Sequence, residues 1–207
     1  RRTARRARSG SARTLDTRRL RRLRSTRDNR HAKLIRLHRH RTRLTVDPIE
    51  RVTSLFTESM QVNAEALETQ TGPIVMAAEL IVSSLLGGGK MLSCGNGCSA
   101  ADAQYFAAQM LHRFERERPG LPAIALNSDA ATLTAIAVDE GFSAIFAKQV
   151  SALGHPGDVL LTLSVHGTAS NTIAAIKAAE ERQMQIIALT GGDGGDLARE
   201  LRSSDIE

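Results

Sequence analysis

Lys90-Met-Leu-Ser-Cys-Gly-Asn-Gly-Cys-Ser99 and Asp158-Val-Leu-Leu-Thr-Leu-Ser-Val-His-Gly-Thr-Ala-Ser170 decide the fold of this chain. Each is a short, almost continuously apolar run that breaks into a glycine-containing turn and then into a helical pattern. A strand that is apolar on both faces is buried on both faces, the situation of a parallel sheet covered by helices. Residues 123–126 and 185–189 repeat the apolar run, and residues 130–138, 145–153 and 169–182 carry apolar positions at helical spacing between them. The predicted class is α/β, a doubly wound parallel sheet. In front of it Val52, Leu55, Phe56 and Met60, and later Ile74, Val75, Ala78, Ile81, Val82 and Leu85, recur at three and four residues. Gly72-Pro73 parts these two sets, so the sheet is expected to be preceded by a helical hairpin.

With 207 residues, 42% of them hydrophobic, the chain can build one core plus an appendage. Only 3% are aromatic and Trp is absent, so that core is expected to be mainly Ala, Leu, Ile and Val. Cys94 and Cys98 are the only cysteines, which suits a reduced, cytoplasmic chain rather than a disulfide scaffold. Nothing approaches a run of about 18 apolar residues, so no membrane span is expected.

The charge is divided. Residues 1–46 hold 18 of the 28 basic residues but only Asp16 and Asp28 of the 22 acids, so residues 47–207 are net acidic. The basic leader cannot bury enough apolar surface to offset the entropy of ordering. Three readings stand for it: a sequence-blind arm whose guanidinium groups neutralise nucleic-acid phosphates, an organellar transit peptide, or sequence foreign to the rest, since the chain opens on Arg1.

In a doubly wound sheet the ligand lies beyond the carboxyl ends of the strands, where loops feed helix amino termini. Two loops qualify. Gly95-Asn96-Gly97-Cys98-Ser99 offers close backbone approach, a hydroxyl and free N–H groups; Ser164-Val165-His166-Gly167-Thr168-Ala169-Ser170 offers the same after another strand. Together they suit a phosphorylated small molecule. Neither completes a Walker loop or a dinucleotide fingerprint.

Leu92-Ser-Cys-Gly-Asn-Gly-Cys-Ser-Ala100, Arg116-Glu-Arg-Pro-Gly-Leu-Pro-Ala-Ile-Ala-Leu126 and Gly157-Asp-Val-Leu-Leu161 resemble the sugar isomerase (SIS) domain. Phe56-Thr-Glu-Ser59, Phe146-Ala-Lys-Gln-Val150 and Ala152-Leu-Gly-His155 are similar to the branch that holds the phosphoheptose isomerases and the DnaA initiator-associating proteins. The resemblance covers residues 48–207. It implies a homotetramer cupping a phosphorylated sugar, with Asn96, Gly97, Cys98, Ser99 and Asp139 on the sugar, and Ser164, Val165 and His166, backed by Thr168 and Ala169, on the phosphate. It also implies one more strand and a final helix past Glu207, so residues 47–207 are expected to be an incomplete domain behind the 1–46 leader.

The resemblance also sets out departures. Gly97-Cys98-Ser99 stands where the family has Gly-Gly-Ser, and His166 and Ala169 stand where two hydroxyls are usual. Active isomerases of the family place a His and a Glu, four apart, on the helix after the first loop, as zinc ligand and general base; here these are Tyr105 and Gln109. Gln cannot abstract the proton that an aldose–ketose isomerisation moves. What the resemblance implies is therefore a phosphosugar-binding protein without cofactor that associates with itself and with DnaA to regulate replication initiation. The alternative is a zinc-assisted phosphoheptose isomerase acting on sedoheptulose 7-phosphate, and a third reading is a nucleic-acid binder through the leader. Elsewhere, Cys94 reads as core, Cys98 as a thiol at a helix start, His112 and Arg113 as surface groups, 115–118 as a solvated charge run, and 191–195 as a turn capped by Asp193.

Overall fold

A computed structural model describes residues 47–207; the expectations for the leader lie outside the described residues. The chain divides into two compact units after Gln61, and the described part of the first is residues 47–61. Helix α1 (Pro48–Leu86) precedes a chain of alternating elements. These are β1 (Met91–Gly95), α2 (Cys98–Leu111), β2 (Ala123–Ala125), α3 (Ala130–Asp139), a 3-10 turn (Phe142–Ala144), α4 (Ala147–Leu153), β3 (Val159–Ser164), α5 (Ser170–Glu181), β4 (Gln185–Thr190) and α6 (Gly195–Glu200).

Among the described residues the four strands are parallel, in the order β2-β1-β3-β4. The alternation of side chains along each strand splits the core in two. Leu92 and Cys94 of β1 and Leu160 of β3 pack with Phe146, Val150, Ile176, Met184 and Leu197. Met91, Val159, Leu161 and Leu163 pack with Ala103 and Ala107 of α2, with Ala77, Leu80 and Ile81 of α1 against them. Helices thus cover both faces, and the doubly wound α/β prediction holds. Beyond β4, Ile206 adds one parallel bridge: its N–H donates to Ile186 O and its carbonyl accepts from Ala188 N–H.

The hairpin expected at Gly72-Pro73 is instead one 39-residue helix. Pro73 withdraws a single donor, the one due to Thr69 O, and this stretch of α1 is exposed, so water can take the freed carbonyl. The hydroxyls of Thr69 and Thr71 donate back to Glu65 O and Leu67 O just before it, side-chain bonding that accompanies gentle helix bending. Among the described residues α1 is also the one helix long and apolar enough to cross a membrane by length and composition, a length that the count of consecutive apolar residues did not register.

The charge run 115–118 is not simply solvated. Arg118 donates from Nη1 to Met110 O and Pro119 O and from Nη2 to Gln109 O, closing the carboxyl end of α2. Arg113 and Glu117 pair beside it.

Candidate phosphosugar site

The strand order reverses direction between β1 and β3, and the two register so that Gly95 faces Leu163. Open α/β sheets bind ligands at such a switch point, outside the carboxyl ends of the strands. A cavity of about 190 Å³ lies there, lined by Asn96 and Ser99 from the first loop and by Leu163, Ser164, Val165, His166, Thr168 and Ala169 from the second. Pockets for drug-sized ligands measure roughly 300–1,000 Å³. This one has the size of a phosphate with the adjoining end of a sugar.

Its construction is local. Gly97 is the residue before α2 and adopts φ 58°, ψ −122°, a backbone conformation for which glycine is suited. Ser99, in the first turn of α2, is 7% exposed. Ser164 ends β3, and its Oγ accepts from Gly167 N–H at 3.1 Å, folding the loop back on the strand while leaving the hydroxyl hydrogen to donate. Ala169 precedes α5, a 12-residue helix in which the N–H groups of Ser170 and Asn171 have no partner within the helix and favour an anion, while Thr172 N–H donates to Ala169 O at 3.1 Å.

Asn171, which the sequence reading did not single out, ties the two loops together. Its Nδ2 donates to Asn96 Oδ1 at 2.9 Å, and Asn96 Nδ2 donates to Asn171 Oδ1 at 2.8 Å. Asn171 is 1% exposed, so this reciprocal amide pair is shielded from water and fixes the amino end of α5 to the end of β1. The two residues are 75 apart in sequence, and only its place just after a serine-rich loop hinted at a role.

The remaining expected site residues are placed elsewhere. Gly97 and Cys98 border the cavity in sequence but do not line it, and Cys98 is exposed. The side chain at position 98 therefore does not fill the space for ligand. Asp139 ends α3, exposed and outside the lining. Tyr105 and Gln109 share one face of α2; Tyr105 is exposed and Gln109 half-buried, and neither lines the cavity. Both cysteines are free thiols, and burial pushes Cys94 up to about 12, with a hydrogen bond to Thr162 only partly opposing it. Cys94 is core, as expected.

A larger cavity of about 480 Å³ opens at the other end of the sheet, among Ser83, Ser84, Lys90, His155, Asp158 and Gln185. Its buried carboxylate is fully occupied: Asp158 accepts from Lys90 Nζ at 2.5 Å, Lys90 N at 2.9 Å and His155 N at 2.8 Å. The first cavity, by contrast, is lined by the hydroxyl residues Ser99, Ser164 and Thr168 and by Ala169, which precedes α5.

Residues 55–191 match the SIS domain. The chain belongs to the SIS domain family, in its phosphoheptose isomerase branch. It is 53% identical to the phosphoheptose isomerase of Aromatoleum aromaticum over 161 residues, 78% of this chain and 81% of the relative. Among solved structures, a phosphoheptose isomerase from Francisella tularensis superimposes with a TM-score of 0.76 at 44% identity, covering 78% of this chain and 85% of that one. One from Neisseria gonorrhoeae gives 0.72 at 49% identity, covering 77% and 84%. In this SIS domain the two loops expected to carry the ligand are those that meet at the switch point.

Proposed function

We propose that this SIS domain binds a phosphorylated sugar at the carboxyl ends of β1 and β3, and that its substrate class is that of the phosphoheptose isomerases it is similar to, sedoheptulose 7-phosphate and its aldose isomer. The observation that carries the reading is the convergence of Ser99, Ser164, Thr168 and the amino end of α5 on one small cavity. The hydroxyls and first-turn N–H groups hold the phosphate, and Asn96, steadied by Asn171, orients the sugar end. Carbonyl migration between adjacent carbons needs a base that removes a proton from one and returns it to the other. Of the lining residues only His166 has a side chain of a type that titrates near neutral pH, so the isomerase reading assigns it that proton.

The residues present do not fit the zinc that the resemblance implies. Tyr105 and Gln109 are not common zinc ligands, and among the described residues no three of His, Cys, Asp and Glu come together. No step here runs through a metal.

The same two positions favour a second reading, a binding protein with little or no turnover that acts through partners, DnaA among them. Self-association is part of both readings. Val52, Phe56 and Met60 are exposed on α1, apolar residues of the kind that a further copy covers in an oligomer.

Calorimetric titration of the full chain with sedoheptulose 7-phosphate tests the site; absence of binding by the assembled protein refutes it. Product formation that survives a chelator and disappears in His166→Ala supports the isomerase. Binding without product, together with capture of DnaA, supports the second reading.

A further inference from the structure

The turn between β4 and α6, Gly191-Gly-Asp-Gly-Gly195, lines no part of the phosphosugar cavity, yet it is moulded against the loop that does. Leu197 N–H, just beyond the turn, donates to Gly167 O at 2.8 Å. A Cβ added to Gly191 would stand 2.5 Å from the carbonyl oxygen of Val165, and one added to Gly195 would run into the carbonyl oxygen of His166. Both obstacles are backbone atoms, which cannot rotate aside. Gly191 is not among the glycines with positive φ, so the strand end would accept any residue on conformational grounds. What the fold uses at this position is the absence of a side chain.

We propose that Gly191 is a positioning residue for the phosphate-binding loop: the bare backbone at Gly191 and Gly195 is a mould that sets where His166, Gly167 and Thr168 stand, and thereby how tightly the phosphate is held. The inference rests on the phosphosugar reading of the cavity. A methyl group at Gly191 must push Val165 outward by most of an ångström to reach ordinary contact distance. A shift of that size displaces the neighbouring donors from a small anion that they must surround, and misplacement by about 1 Å can cost about a hundredfold in catalytic rate. Gly192 is the natural control. It lies in the same turn at φ 66°, so a side chain there is strained, but its Cβ would meet nothing within 4 Å.

The test titrates sedoheptulose 7-phosphate into the full-length wild-type chain, Gly191→Ala and Gly192→Ala by calorimetry, with thermal unfolding of each. Gly191→Ala is expected to weaken binding by about tenfold or more, whereas Gly192→Ala lowers the melting temperature and leaves the affinity near wild type. A second readout needs no variant. Inorganic phosphate added to the wild-type chain should shift the amide resonances of Gly191 and Gly195 with the same midpoint as those of His166 and Gly167. If wild type binds neither probe, the phosphosugar reading itself fails. If wild type binds and Gly191→Ala binds equally well, or if only the 164–169 amides respond to phosphate, the cavity stands and the mould does not.

Discussion

Replacing Asp158 with Asn should destabilise the domain severely without touching the proposed site. Asp158 is 2% exposed and takes three donors at once, the side chain and backbone of Lys90 and the backbone of His155. It locks the start of β1 to the turn before β3. Asn keeps the shape but turns an N–H group toward one of these donors and leaves the Lys90 ammonium, itself mostly buried, without its counter-ion. Removing one member of a buried pair costs about 3–5 kcal/mol; Lys90 retains some access to water, which places the expected loss near the lower end, about 3 kcal/mol. For a chain of this size that is a fall of about 6–12 °C in melting temperature. The pH dependence follows from the same contacts. Burial alone would raise the Asp158 carboxyl, but the hydrogen bonds from Lys90 and His155, with the Lys90 charge, outweigh it and hold the group below its ordinary 3.8. A depressed carboxyl contributes stability that is complete above the unfolded value and is lost as pH falls through the folded one. Urea unfolding between pH 7 and pH 3 should show that acid loss in wild type and a flatter profile in Asp158→Asn. A variant within about 1 kcal/mol of wild type at pH 7, or an unchanged acid limb, would refute the account.

Ser164→Ala removes the acceptor of Gly167 N–H and a hydroxyl lining the proposed site, and should cost about tenfold in sugar-phosphate affinity while lowering stability by about 1 kcal/mol; an unchanged dissociation constant would count against the cavity. In native protein a thiol reagent should modify Cys98 and spare Cys94 until denaturant is added, because Cys94 is fully buried and pushed up to about 12; mass spectrometry reads the site directly. Arg118→Ala strips two bonds from the carbonyls of Gln109 and Met110 at the end of α2 and a third from Pro119 O, and should speed amide exchange around residues 109–112, with a loss of about 1–2 kcal/mol. Phe56→Glu puts a charge into the exposed apolar surface of α1 and should lower the mass of any oligomer seen by light scattering.

The parallel sheet was legible in the chain because strands apolar on both faces, alternating with helices, need helices on both faces, and 91–95 and 159–164 carry nearly continuous apolar runs. The two loops that line the cavity were legible for a related reason: glycine, serine and threonine after such strands mark where backbone must turn into a helix with open N–H groups. Local pattern misjudged Pro73: a helix can carry a proline through when its lost bond and ring clash are absorbed by bending and by water on an exposed face, and the sequence does not say which faces are exposed. It also passed over Arg118, whose partners are carbonyls that exist only once α2 has ended.

Which loops meet was a matter for the tertiary structure alone. Strand order puts β1 beside β3, and that adjacency, not any spacing in the chain, brings Ser99 to Ser164 and pairs Asn96 with Asn171. The same packing leaves Asp139, Tyr105 and Gln109 outside the cavity. It also gives Gly191 a neighbour from another loop. Periodicity records what a residue needs from solvent and from its own helix or strand, whereas contacts across the sheet depend on topology, which no single stretch of sequence contains.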